Sequence, residues 1–374
     1  MIKLINSPPT TLMESPRKRD MVVDVENICC GWFAKKNEKV TVVCAAQSQL
    51  NGMMWDKEQQ VEQERLDATE SDDSSLSSGL GSESVILKEM VNQLSDTEKE
   101  TAARSSYAYY KMSETCAADG RSSKSLEESR DRAAMAMAAR HLKADKGDVD
   151  AAMKHFKATI EWRREHRLDS LRTCFQESTT EALQSKQRVK NYVGKGKLVI
   201  AGFDRENRAC WHTVGRLSPK GSQSDDVGCM QSHYYMLERS IACSEARSLH
   251  LGTDVQQKVV VSVDFGRYKA EHAPTFKTIQ ELLCTLRDHY PERLYRIYLV
   301  DAPFMARTLW AALKPFVDPD TKTKFQFVTG SKQRNAIFGH AFGSEQCMPY
   351  QHPEGTLQEM VDMDNFFMLP FHKC

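Results

Sequence analysis

Asp264 and Asp301 each stand at the end of an apolar run, Val259–Val263 and Ile297–Val300. A carboxylate at the carboxyl end of a parallel strand lies where α/β folds gather their active sites. Two such groups can share general acid and base work, but strand-end aspartates also cap loops and helix starts. The surrounding sequence favours the capping role. Gly194-Lys195-Gly196-Lys197 lacks the spacing of a phosphate-cradling loop, and Gly79-Leu80-Gly81 falls in an acidic stretch rather than after a strand. There is no G-x-S-x-G elbow and no H-E-x-x-H pair, and the 11 histidines show no metal-ligand spacing. His289 and His340 read as surface or satisfied core residues. The chain is therefore expected not to be an enzyme and to need no cofactor.

The elements that position these residues follow from periodicity. Glu127–Lys143 is rich in good helix formers, and Gly147 with Asp148 supplies a stop and then an N-cap. From there Val149, Ala152, Met153, Phe156, Ile160 and Arg163 recur at steps of three or four, predicting a helix to about Arg167. Lys197–Ala201 and Ala209–Val214 read as a strand hairpin across the polar turn 202–208. Gln231–Ser248 is a helix, and the valine-rich Lys258–Asp264 has the density of a strand buried on both faces. Helix, strand, helix and strand follow in Pro274–His289, Tyr295–Val300, Phe304–Val317 and Lys324–Val328. That alternation implies a parallel sheet with right-handed crossovers. The fold class is thus α/β, a helical N-terminal subdomain on a mostly parallel sheet.

Composition narrows the partners. The 374 residues carry 51 basic and 51 acidic side chains, so no global field draws the protein to nucleic acid. Eleven cysteines without a C-x-x-C pair fit reduced thiols and a cytoplasmic protein. No apolar run approaches the roughly 20 residues of a spanning helix, so any membrane contact is expected to be peripheral and transient. Between Asp56 and Glu83 nine acidic residues face two basic ones, and Ser71–Ser84 is built almost wholly from Ser, Asp, Gly and Leu. Such a stretch buries too little apolar area to offset chain entropy. Residues 1–120 are accordingly expected to be a mostly disordered tail with a Ser-rich acidic linker, able to contact a protein partner, though Val85–Leu94 has the makings of a short helix. The helical subdomain is placed at 121–190, the sheet lobe at 191–330 and a divergent segment at 331–374.

One stretch is more specific than any of these patterns. His289-Tyr290-Pro291-Glu292-Arg293, the strand ending in Asp301-Ala302-Pro303, the helix ending in Lys314-Pro315-Phe316-Val317 and the turn Thr321-Lys322-Thr323-Lys324 together resemble the CRAL-TRIO lipid-binding family. Ala144–Val149, Glu161-Trp162-Arg163-Arg164 and Gly202–Arg208 resemble its upstream motifs, with Asn207 where a second glycine is usual. Asn tolerates positive φ better than most residues. The resemblance runs in order over 127–330. It implies a protein that encloses one lipid between the sheet and a movable gate helix, here Phe304–Val317, with Phe304, Met305, Leu309, Trp310, Leu313 and Phe316 lining the gate and cavity. It also implies that Lys146, Glu292, Thr321 and Lys324 meet the head group of a phosphoglyceride, phosphatidylinositol first, with retinoids and tocopherol as the other ligand classes. Asp145 departs from the pattern by setting a negative charge beside Lys146. The alternative is an adaptor or small-GTPase regulator that its lipid domain recruits to membranes. Phe366–Phe371 is strongly apolar and fits either packing under the sheet or membrane contact.

Overall fold

Helices come first because the N-terminal half of the folded part has helix formers, caps and few β-branched runs. The computed structural model describes residues 80–118, 124–194, 196–219, 224–267, 269, 274–313, 319–342 and 362–373, all within one compact unit, Leu76–Cys374. The expected tail and linker before residue 80 lie outside the described residues. Helix α1 is Leu80–Asn92, α2 Asp96–Arg104, α3 Tyr107–Ala118, α4 Lys124–Ala144, α5 Val149–Glu165, α6 Leu168–Arg172 and α7 Thr180–Val193. Asp148 caps α5 as expected, its carboxylate accepting from Ala151 N at 3.0 Å.

The helical part extends further upstream than the boundary at 121. Helices α1 to α3 occupy residues assigned to the tail, and Met90, Val91, Leu94 and Ala102 are buried with Met137, Phe156 and Ile160. Local signals there are slight: α2 is set by a Ser95/Glu98 capping box. The start of α3 is held from 138 residues away, where the Glu245 carboxylate accepts from Tyr107 N at 2.7 Å and Ser106 Oγ at 3.0 Å. An anion at a helix N-terminus satisfies orphan N–H groups and the helix dipole together, but no local pattern announces it.

The sheet has 5 strands in the order of the chain. β1 (Leu198–Phe203) runs antiparallel to β2 (Ala209–Val214). β3 (Val259–Asp264), β4 (Leu294–Val300) and β5 (Phe325–Val328) then add in parallel. The hairpin turn is tied by Asp204, whose Oδ1 accepts from Arg208 N at 2.8 Å and Glu206 N at 3.0 Å, and Asn207 takes φ 65°. The crossovers are α8 (Asp226–Leu251), α9 (Phe276–His289) and α10 (Phe304–Leu313), with the short α11 (Pro319–Thr323) leading into β5. A sheet that grows in one direction through right-handed crossovers carries them all on one face. Ladder register gives that face Ile200, Trp211, Val261, Ile297, Phe325 and Phe327. The other face presents Cys210, Val260, Tyr298, Val300 and Val328 to α12 (Gly330–Phe342), through Phe338 and Phe342.

Helix α8 is buried along nearly its whole length, because one side lies on the sheet and the others are wrapped by helices. Its buried charged side chains are consequently paired, while the Ser232 hydroxyl finds no hydrogen-bond partner among the described residues. The Arg163 Nη1 and Nη2 of α5 donate to Glu238 Oε1 at 2.7 Å and Oε2 at 3.0 Å, and the Tyr290 hydroxyl donates to Oε1 at 2.8 Å. Burial alone raises a carboxyl pKa, but here Arg163, with help from Arg172 and Tyr290, holds Glu238 below its ordinary value. Helix α13 (Met363–Met368) and a 3₁₀ turn, Phe371–Lys373, settle the question left at Phe366–Phe371. Phe366, Phe367 and Phe371 are buried in the main core, Phe367 stacks on Phe175 at 3.9 Å, and Phe371 meets Tyr107 edge-on at 4.8 Å. The Arg239 guanidinium of α8 donates to the carbonyls of Phe366 at 2.9 Å and Leu369 at 3.0 Å.

Candidate functional site

The crossover face is covered unevenly. Under α8, Leu198, Ile200, Trp211 and Val259 are fully buried, whereas Thr213, Val263, Ile297, Leu299 and Phe325 are only half-buried. The strip runs diagonally toward β5. Helix α9 packs Leu282 and Leu286 on the same core and leaves Leu283 42% exposed. Helix α10 reaches over the far edge, where the Trp310 ring stacks on Phe325 at 4.0 Å. The Arg307 guanidinium lies 5.0 Å from the Phe327 ring centroid, donates from Nη2 to Thr329 Oγ1 at 2.6 Å and from Nε to the Ala302 carbonyl at 3.2 Å. Among the described residues, one stacked pair and one arginine thus hold α10 down on β5. Phe304, at the start of this helix, is 79% exposed. The side chains expected at Met305, Leu309, Leu313 and Phe316 lie outside the described residues.

Polar chemistry collects at the opposite end, where β3, β4 and β5 begin. Glu292 and Lys324 come together, Oε1 to Nζ 3.9 Å apart. Glu292 holds φ 56° in the tight turn before β4. Thr321 lies one turn before Lys324, its carbonyl accepting from Lys324 N at 3.1 Å. Two further lysines join this pair that motif reading did not single out. Lys143, in the last turn of α4, sets Nζ 3.3 Å from Glu292 Oε2. Lys258 directly precedes β3 and is pushed below the ordinary lysine pKa by burial, with Glu292 opposing that shift and Lys143 and Lys324 adding to it. The only sequence signal for either was position: one ends a helix beside the Lys146 turn, the other starts a parallel strand next to Glu292. Lys146 itself is exposed at φ 55° and its side chain makes no hydrogen bond or ion pair among the described residues. Asp145 is directed at His155, whose Nδ1 lies 2.9 Å from Oδ2 and 3.0 Å from Oδ1.

The strand-end aspartates are occupied. Asp264 pairs with Arg216 and accepts from Gly266 N at 2.7 Å. Asp301, at φ 50°, pairs with Arg334 and accepts from Gly330 N at 2.9 Å, fixing the start of α12. His289 stacks on Trp162 at 4.4 Å with Nδ1 3.1 Å from Thr159 Oγ1, and burial lowers its pKa to about 4. No group of His, Cys, Asp and Glu among the described residues is arranged to hold a metal ion.

Residues 194–347 match the family model described as CRAL/TRIO domain. The chain carries a CRAL/TRIO domain. Its match spans the sheet, the crossovers and α12, and helices α1 to α7 stand upstream of it. A phosphatidylinositol transfer protein of Saccharomyces cerevisiae, PDR17, is 32% identical over 197 residues, covering 50% of this chain and 50% of its own length. A phosphatidylinositol/phosphatidylcholine transfer protein of Arabidopsis thaliana, SFH9, is 24% identical over 210 residues, 53% of this chain and 33% of that one. The chain spans about half the length, or less, of these relatives. The crystal structure of Sfh5 is similar with TM-score 0.45 at 16% identity, over 69% of this chain and 83% of that one. No helix among the described residues is long and apolar enough to cross a membrane.

Proposed function

We propose that this chain is a lipid-binding and lipid-transfer protein that takes up one phosphoglyceride, phosphatidylinositol being the first candidate. The acyl chains would lie along the half-buried strip between the sheet and α10, and the head group at Lys146, Glu292, Thr321 and Lys324. The observation that carries this reading is the pairing, within one CRAL/TRIO domain, of that apolar strip with a cationic cluster at the strand starts. The names of the relatives support the lipid class. Uptake requires α10 to lift, which breaks the Trp310–Phe325 stack and releases Arg307 from Thr329. Exposed Phe304 then suits the interface of a bilayer touched in passing, in a protein otherwise in the cytoplasm.

The test is to incubate the purified full chain with phosphatidylcholine vesicles containing phosphatidylinositol, separate protein from vesicles and identify the bound lipid by mass spectrometry. About one phospholipid per chain is expected. A folded protein that takes up none refutes the reading and leaves recruitment of a protein partner as the alternative.

A further inference from the structure

A small cavity, about 10 Å³, lies at the seam where α4, α5 and α8 meet the turn that follows α9. Its wall carries three guanidinium groups, those of Arg140, Arg163 and Arg293, together with His141, Glu238 and Tyr290. We propose that this cavity is a binding site for one chloride ion. The site goes beyond the lipid-binding reading, since Glu292, Lys143, Lys258 and Lys324 do not belong to its wall.

The charge count is the first argument. Glu238 supplies the wall's carboxylate, and it already accepts two bonds from Arg163 and one from Tyr290. Arg140 donates to the neutral side chain of Gln257 and makes no ion pair among the described residues. Arg293 donates to the Gln257 carbonyl at 3.0 Å, and its Nη1 is 3.7 Å from Glu245 Oε1. The other oxygen of Glu245 is committed to the start of α3. An arginine does not shed its proton on burial as a lysine can, so surplus positive charge here has to be met by a counter-ion. The second argument is the unfilled donors. Arg163 is 5% exposed and His141 2%, and Arg163 Nε and His141 Nε2 have no hydrogen-bond partner among the described residues. Burial and the Arg140 charge push the His141 pKa down to about 3, so the imidazole is neutral and its Nε2 can carry the hydrogen and donate. Buried donors without an acceptor are destabilising. The third argument is size and sign. The cavity has room for one body of about the size of a water molecule, which excludes phosphate and carboxylate ligands. Water would bring two hydrogens into a wall whose carboxylate is already taken. Chloride only accepts, and it carries the missing charge.

Two measurements on the full chain test the site. Thermal unfolding of wild type and R140Q is compared in sodium chloride and in sodium gluconate at equal ionic strength, and wild-type crystals are soaked in bromide, whose anomalous scattering marks a halide position. Chloride at about ten times its dissociation constant is expected to raise the wild-type Tm by about 2–4 °C over gluconate. R140Q should lose at least half of that difference, while matching the wild type in gluconate, where the Arg140 charge has no counter-ion. Bromide should appear in the cavity beside Arg163 Nε and His141 Nε2. Should R140Q not fold, the wild-type bromide map decides alone. A cavity filled by water with no anomalous peak overturns the proposal, and so does a chloride dependence that R140Q keeps in full.

Discussion

Arg163→Met removes the guanidinium that joins the helical part to the centre of the sheet lobe. Two charge-assisted bonds to Glu238, at 2.7 and 3.0 Å, are lost, from side chains only 5% and 2% exposed. Breaking a buried pair from one side costs about 3–5 kcal/mol, because the other charge remains in a dry site. Here Arg172 stays 3.7 Å from Glu238 and the Tyr290 hydroxyl still donates, so the lower end, about 3 kcal/mol, is expected. The sign of the pH dependence follows from the same contact. Glu238 is depressed in the folded wild type, so its contribution is present above the unfolded carboxyl pKa and is lost as pH falls through the folded one. In the variant the carboxylate is poorly compensated and its folded pKa rises, so protonation relieves the site. The deficit should therefore be largest near neutral pH and shrink toward acid. Urea unfolding of both proteins at pH 7.5 and pH 5 measures this, and R163M/E238Q should recover part of the loss, giving a coupling of about 2 kcal/mol. A variant within about 1 kcal/mol of wild type, or a deficit indifferent to pH, would refute the argument.

His212 and His233 are buried and their pKa values are lowered by that burial to about 4. The unfolded chain takes up protons first, so stability is full above about pH 6.5 and is lost as pH falls toward 4, by up to ~3 kcal/mol for each group; urea midpoints across that range should fall, and His212→Gln should flatten the slope. Asn207→Gly should leave stability unchanged or raise it slightly, while Asn207→Val forces a β-branched residue to φ 65° and should cost about 1–3 kcal/mol in thermal or urea unfolding. Phe366→Ala opens a cavity at a side chain 1% exposed and should cost about 3–5 kcal/mol, whereas Met368→Ala, at a residue 61% exposed, should cost less than about 0.5 kcal/mol by the same assay.

What the sequence makes legible is whatever is local. Helix α5 is visible because its apolar residues recur at helical steps behind a capping aspartate, and β3 because a run of valines has no other stable use. Even the positive φ at Asn207 follows from residue type at a turn. Trp310 is less legible, since a tryptophan on an amphipathic helix has no evident partner until β5 brings Phe325 beneath it at 4.0 Å. Of the helices from 80 to 118 the first has a local signal, at Val85–Leu94, whereas α3 starts on a carboxylate from α8, far along the chain. Lys258 looks like an ordinary solvated lysine until parallel pairing places the starts of β3 and β4 side by side. Asp145 breaks the local pattern beside Lys146, and only the fold reveals His155 as its partner.

The aromatic lock at Phe371 has a further consequence for the order in which the chain can fold. Its ring closes on Tyr107 at 4.8 Å, and Phe367 stacks on Phe175, so contacts formed early in synthesis wait for partners made much later. At ribosomal speeds of roughly 5–20 residues per second, the interval between Tyr107 and Phe371 is tens of seconds. Throughout it the nascent chain carries Phe175, Tyr235 and the Arg239 guanidinium without the segment that covers them. Chaperone engagement should therefore persist until residues 362–373 have emerged, and then end abruptly.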